Sequence, residues 1–507
     1  MPLSGFLPEL ASHWSVFAVM AVVVVALTVV AAFRRGRAGP DDDVSAVTVI
    51  GWAAVLVVPP LLYVVALASG LSVPAALFAS FLAATVLFWV FGLVEEFVPA
   101  LVAVVAALLV GLAPPQVALA GFASPSLLLL MGVFALSAVI SSSGLSYRVM
   151  MWLLVRLPDT PFWHQSILLF SGYALSPMVP SSNARLSLLT PVYVEMVRGL
   201  RLPARGPAIT ALLAATFGGT LLFSPMMATS KSSNIAALNM LPAQVQVEFS
   251  GLFWLVAAAV AALGVTGIHL VLLPRLFPAG DQTPLPREQI RRQLREKGPL
   301  RPAEWVAAGG FLFFLAGTAT VSWHHVRPAY LAGCVLLALL LTGTLLRKDF
   351  QRQIDWPMIV FLLGMDSLMR IMTHLGLAEQ LAAATGRVFD FVGGRAGFFI
   401  LAVLVTTMLV RLVLPVTAGM LTAVIIMLPV AAANGIHPWI CVFCAAVFSD
   451  ISVFRHQGTN GIIQMRVAGL FDDVDEAGFL RYNMWMNVAR IAVVYASIPW
   501  WQWLGLL

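Results

Sequence analysis

The chain has 507 residues, of which 60% are hydrophobic and 10% charged, against about 25% charged in an ordinary soluble domain. Its 29 Lys and Arg and 23 Asp and Glu are too few to coat a compact soluble fold of this size. A cytosolic enzyme, a disordered chain and a nucleic-acid-binding protein are therefore excluded, and the net charge of +6 fits Lys and Arg gathered in cytoplasmic loops.

A helix crosses the roughly 30 Å of bilayer hydrocarbon with about 20 apolar residues. In chain order, such stretches fall at about 14–33, 46–69, 74–93, 97–113, 125–143, 206–240, 250–275, 302–322, 328–346, 357–375, 436–467 and 484–504. Those at 206–240 and 436–467 are interrupted by polar residues. Two more apolar stretches, 163–197 and 396–435, are broken at their midpoints by polar and Pro-containing clusters. These read as re-entrant hairpins, the first inner and the second outer. The expectation is an all-α polytopic membrane protein of the cell (inner) membrane. Residues 1–45 would form an additional N-terminal helix and cytoplasmic linker, 46–277 a first membrane half, 278–301 a basic cytoplasmic linker, and 302–507 a second half. Arg34, Arg35 and Arg37 after the first span place the N-terminus outside. The linker reads as a solvated charge run, and the amphipathic stretches 145–157 and 377–390 as segments lying in the interface plane. Cys334, Cys441 and Cys444 sit in apolar surroundings and read as small buried residues.

The halves echo one another. Gly132, Leu136 and Gly144-Leu145 match Gly364, Leu368 and Gly376-Leu377, and Val179–Ala184 aligns with Leu414–Gly419. Phe223-Ser224 matches Phe448-Ser449, followed by Asn234 and Asn460, with the offset always between 225 and 235 residues. An odd number of spans between equivalent positions inverts the second copy. Inverted repeats with paired broken helices point to a secondary transporter whose site lies at the repeat interface. An interrupted helix leaves backbone N–H and C=O groups unpaired, which hydrocarbon tolerates only around a polar cavity.

Four polar segments are the expected substrate site. They are Ser182 and Asn183 at the first tip, Lys231, Ser232, Ser233 and Asn234 in the first broken span, Thr417 and Gly419 at the second tip, and Gly458, Thr459 and Asn460 in the second broken span. Hydroxyl and amide oxygens with freed carbonyls suit a hard cation, while helix N-termini and side-chain donors suit an anion. Lys231 would contact substrate or else pair with an acid such as Asp450. Arg185 and Arg411 would snorkel or brace the hairpins. Asp366 and Arg370, four residues apart on one helix, would pair with each other. No metalloprotease, serine-hydrolase or P-loop motif occurs, so no enzymatic activity is expected.

At these residues the sequence resembles the divalent-anion:sodium symporter family, the di- and tricarboxylate and sulfate carriers of the wider ion-transporter superfamily. The resemblance rests on Gly-Phe-x-Ser-Pro-x-Leu-Leu at 121–128, the Gly-Leu pairs, Ser182-Asn183 and the paired interrupted helices. The family's Ser-Asn-Thr signature is partly kept: Ala184 replaces its threonine, and the second copy reads Thr417-Ala418-Gly419. The resemblance implies a homodimeric elevator carrier in the lipid bilayer, moving a small, divalent anion such as a dicarboxylate or sulfate. It implies sodium as coupling ion, at Ser182, Asn183 and Ser230 and, more weakly, at Thr417 and His456. The alternative is a sodium-independent anion exchanger, or a carrier of another small solute, on the same scaffold. In that case the fixed charge of Lys231 would do the work of a bound cation.

Overall fold

The structure, a computed structural model, describes residues 46–177, 179–278, 284–285, 287–377, 394–412, 414–451 and 474–507. The expected first span at 14–33 and most of the 377–390 segment lie outside these residues. Among the described residues there are helices and no strands, and seven helices are long and apolar enough to cross a membrane. The all-α polytopic architecture is as expected.

Contacts divide the described chain into two compact units. The first gathers residues 46–124 with 360–377 and 414–418, and the second holds the remainder. In the first unit, Ala46–Ala68 packs along Val73–Val90, which packs in turn on Phe97–Leu109. Pro59 and Pro60 lie inside Ala46–Ala68. A proline cannot donate to the turn before it, and the Ser80 hydroxyl donates to the Pro59 carbonyl at 2.7 Å. Asp366 and Arg370 form the expected ion pair, at 3.2 Å.

In the second unit, Ser126–Ser143 packs against Pro328–Leu341 and Pro302–Ala319. One crossing there has a counterpart in the first unit that exposes the repeat. A Cβ built on Gly132 would lie 2.2 Å from the Ala332 carbonyl oxygen, and one on Gly364 would lie 3.3 Å from the Ala100 Cβ. Ala332 follows Ala100 by 232 residues, and Gly364 follows Gly132 by the same 232. Each repeat therefore lends a helix to the other, in both directions, through the same pair of small residues. Small residues are what let helix backbones approach closely in lipid.

Four expectations change. The span expected at 250–275 is two helices, Leu252–Ala257 and Ala259–Leu276. Trp500 and Trp501 donate their indole N–H groups to the carbonyls of Val256 and Ala257, at 2.8 and 2.9 Å. Side chains that take helix carbonyls interrupt the i→i−4 ladder and bend the helix. The last span begins at Glu476, capped by Asp475, and breaks after Ala496, where Pro499 starts a short helix. The linker is solvated on one face only. Its helix Arg287–Glu296 packs on Leu145–Arg156 and buries Ile290, while Arg148 donates to the Gly298 carbonyl at 2.6 Å and to Glu304 at 2.9 Å. Burial and the neighbouring Arg148 guanidinium push the Lys297 ammonium below its usual range. Cys441 and Cys444 are buried as expected, but Cys334 is exposed on the surface of Pro328–Leu341.

Candidate functional site

Two backbone breaks build the candidate site, both within the second unit. The first hairpin runs Pro161–Leu175 and Ser182–Gly199. Pro180 forces the residue before it away from helical geometry. Ser181 is extended, at φ −133° and ψ 119°, and its hydroxyl caps the new helix by accepting from the Ala184 N–H at 3.3 Å. A serine there is a favourable N-cap. The broken span runs Pro207–Leu221, passes through 3₁₀ turns at Ser224–Met226 and Ala228–Ser230, and restarts at Ser232–Asn239. Lys231, extended at φ −144° and ψ 136°, is the hinge.

The two breaks are fastened together. The Ser232 N–H donates to the Pro180 carbonyl at 3.0 Å. Arms and span meet where a Cβ on Gly172 would lie 2.3 Å from the Gly219 backbone, so only glycine fits. Trp254, fully buried, donates its indole N–H to the Pro225 carbonyl at 2.9 Å.

Breaking helices frees carbonyls, and Arg185 collects them. Its side chain is wholly buried. One nitrogen donates to the carbonyls of Val179 and Ser230, each at 2.6 Å. The other donates to the Thr220 carbonyl at 2.7 Å, to the Ser182 hydroxyl at 3.2 Å and to the Ser224 hydroxyl. Arg185 therefore braces the hairpin tip and does not snorkel. Asn234 donates to the carbonyls of Ser224 and Met227 at 2.8 and 3.0 Å, and its amide oxygen is buried with no hydrogen-bond partner. The Ser230 hydroxyl is spent on the Ser224 and Met227 carbonyls.

Lys231 pairs with Asp450, at the end of Pro438–Ser449. The second Asp450 carboxylate oxygen is buried and takes no hydrogen bond. The ammonium is thus already engaged by a carboxylate, the alternative weighed for it from sequence. Three further arginines of this unit, Arg185, Arg411 and Arg490, are also buried.

Of the expected site residues, the structure brings Ser182, Asn183, Ser230, Lys231, Ser232, Ser233 and Asn234 to this pair of breaks. Ser182 and Asn183 are half-buried and Ser233 and Asn234 buried. Thr417, half-buried, and Gly419, buried, open the second arm of the hairpin Ala396–Arg411 and Val416–Ala433. His456, Gly458, Thr459 and Asn460 lie outside the described residues. Arg490 escaped the sequence reading. It shares one face of Glu476–Ala496 with Asn483 and Asn487, all buried, and donates to the Asn487 side chain at 3.0 Å. The signal was there: polar residues at i, i+4 and i+7 on an otherwise apolar helix. Among the described residues, no group of three or more His, Cys, Asp or Glu could hold a metal ion.

Comparison with known proteins agrees with a membrane carrier. The chain is 25% identical over 255 residues to a membrane protein of Cupriavidus necator, covering 49% of each chain. It is 24% identical to the inner membrane protein YbhI of Escherichia coli K12, covering 56% of this chain and 61% of that one. It is also 24% identical to YflS of Bacillus subtilis, described as a candidate malate transporter, covering 52% and 57%. The chain thus spans between about half and three-fifths of the length of these relatives. Among solved structures it is similar to the YdaH transporter of Alcanivorax borkumensis, with a TM-score of 0.47 and 16% identity over 75% of this chain and 86% of that one. The run of apolar helices and the inner-membrane relative establish a multi-pass membrane protein. Matched by the citrate transporter family over residues 86–448, well over half its length, the chain belongs to that family, among transporters rather than enzymes.

Proposed function

We propose that this protein is a secondary active carrier of a small carboxylate anion, a di- or tricarboxylate, bound at the joined breaks. The observation that carries the reading is the bond from the Ser232 N–H to the Pro180 carbonyl. It sets two helix restarts, at Ser182 and Ser232, beside each other, and helix N-termini with free N–H groups attract anions. Ser182, Asn183, Lys231, Ser232, Ser233 and Asn234 form the first half of the site in this proposal. The repeat relation assigns the second half to Thr417, Gly419, Gly458, Thr459 and Asn460. The elevator movement and the homodimer belong to the same proposal. The family match and the Bacillus subtilis relative favour carboxylates over sulfate.

One observation favours sodium-independent transport at the first tip. The Ser182 hydroxyl and the carbonyls of Val179, Thr220 and Ser230 are the kind of oxygen set that holds a hard cation. Here the Arg185 guanidinium takes all four. A fixed cation does there what a bound sodium would do. The test is uptake of labelled citrate and malate into proteoliposomes, preloaded with unlabelled anion, in sodium or potassium buffer. Saturable uptake that changes less than twofold between the two buffers is expected, with a loss above tenfold in Asn183→Ala. Uptake of sulfate or a neutral solute in place of carboxylates would overturn the substrate class. Steep sodium dependence would restore the symport mechanism.

A further inference from the structure

One basic surface has no part in the carrier reading. It is built by the linker helix Arg287–Glu296 and the helix it docks on, Leu145–Arg156. Residues 287–301 hold six basic and two acidic residues. Ile290 is buried, while Arg291, Arg292 and Arg295 turn outward and are 48%, 81% and 75% exposed. Their partners are Glu288 and Glu296 on the same helix, at 2.9–3.6 Å and as exposed as they are. Surface pairs of this kind hold weakly, and two carboxylates shared among three guanidinium groups leave the helix positive. Lys297 and Arg301, both exposed, extend the charge.

The second helix shows what this surface meets. Leu145–Arg156 buries Met150, Met151 and Leu154 and leaves Val149 and Trp152 exposed. The Arg156 guanidinium lies 4.5 Å from the centre of the Trp152 ring, and Phe162, just beyond, is exposed as well. An exposed indole beside an arginine is the chemistry of a membrane–water boundary, where tryptophan sits at headgroup level and arginine reaches up to the phosphates. The Lys297 ammonium, 4.4 Å over the Tyr147 ring, fastens the end of the linker to this same helix.

We propose that the docked linker and Leu145–Arg156 together bind anionic phospholipid headgroups of the cytoplasmic leaflet. Arg156, Arg291, Arg292 and Arg295 are the phosphate contacts. Clusters of Lys and Arg held at headgroup level attract anionic lipid, and a guanidinium can give a phosphate two parallel hydrogen bonds. Lipid that binds the docked linker stabilises the folded protein by mass action. The effect reaches the first hairpin, because Asp159 accepts the Leu285 N–H at 3.0 Å and hydrogen-bonds the ring of His164, in Pro161–Leu175, at 2.7 Å.

The test is thermal unfolding of the full chain in detergent with added phosphatidylglycerol, phosphatidylcholine or inorganic phosphate. Phosphatidylglycerol should raise the midpoint by about 5 °C more than phosphatidylcholine does, and inorganic phosphate should leave it unmoved. The variant Arg291→Gln with Arg292→Gln and Arg295→Gln should lose at least about half of that difference, as its share of the surface charge requires. Arg156→Gln, on the other helix, should lose part of it, and decides the matter if the linker variant does not fold. Arg347→Gln with Lys348→Gln and Arg352→Gln removes the same charge from another exposed helix and should keep the full difference. Equal shifts with both lipids, or a shift that inorganic phosphate reproduces, would overturn the proposal. So would an unchanged difference in the linker variant or in Arg156→Gln, or an equal loss in the Arg347–Arg352 variant. None of these outcomes depends on what the protein carries.

Discussion

The two hairpin tips occupy equivalent places in the repeat and have diverged in opposite directions. The first tip carries Ser181, Ser182 and Asn183, and its freed carbonyls converge on the buried Arg185. The second reads Leu414-Pro415-Val416-Thr417-Ala418-Gly419, with one hydroxyl, and its arginine, Arg411, comes before the turn rather than after it. The helix crossings did not drift in this way. Gly132 with Ala332 and Gly364 with Ala100 keep one offset throughout. The small residues that let the helices cross are kept in both copies, while the residues at the two tips differ.

The first tip offers the sharpest way to break this comparison. Arg185→Met removes the buried donor that three carbonyls and two hydroxyls share. A loss of roughly 3–5 kcal/mol is expected, as for removal of one partner from a buried charged network. Thr417→Ala at the second tip should stay within about 0.5 kcal/mol. Thermal or denaturant unfolding in detergent measures both, and equal losses would mean that the two tips are braced alike. A smaller effect sharpens the account of the cluster beside the first tip. In a double-mutant cycle, Lys231→Ala and Asp450→Asn should each destabilise, with a coupling of roughly 2–3 kcal/mol, in the upper range for contacting residues. A coupling near zero would dissolve the ion pair. The mildest test concerns the crossings. Gly132→Ala pushes a methyl into the Ala332 carbonyl, whereas Gly364→Ala meets the Ala100 methyl at 3.3 Å, a tight contact that a shift of a few tenths of an ångström relieves. About 1–2 kcal/mol is expected for the first, as for overpacking, and less than about 1 kcal/mol for the second. The reverse order would show that the two crossings are not built as described.

Most of the architecture was legible because membrane helices announce themselves by length, and breaks by proline and polar insertions. The helix ends at Leu175, Arg411 and Leu221 fall at or beside the polar clusters seen in the sequence. What stayed hidden depended on contacts distant in sequence. The start of the last long helix was placed too late because Arg481, Asn483, Asn487 and Arg490 depress its hydropathy. Three of these four point into the bundle. The bend at Ala258 comes from two tryptophans more than 240 residues away, which no local window sees. Arg185 read equally as a snorkel or a brace, because its acceptors come from separate segments, the hairpin and the broken span. The linker's docked face was masked by its charge, since a single buried Ile290 among exposed Arg and Glu gives little periodicity.

The exchange of helices between repeats also imposes an order on biosynthesis. The helix Phe97–Leu109 leaves the ribosome long before its partner Trp356–His374 exists, and the Gly121 N–H must wait for the hydroxyl of Ser367, 246 residues later in the chain. At about 5–20 residues per second that interval is on the order of ten to fifty seconds. During it the first repeat sits in the bilayer with its closest helix contact facing lipid. Insertion and assembly are therefore separate events in this protein. The nascent first half is the stage at which a chaperone or quality-control protease would find small-residue grooves still open.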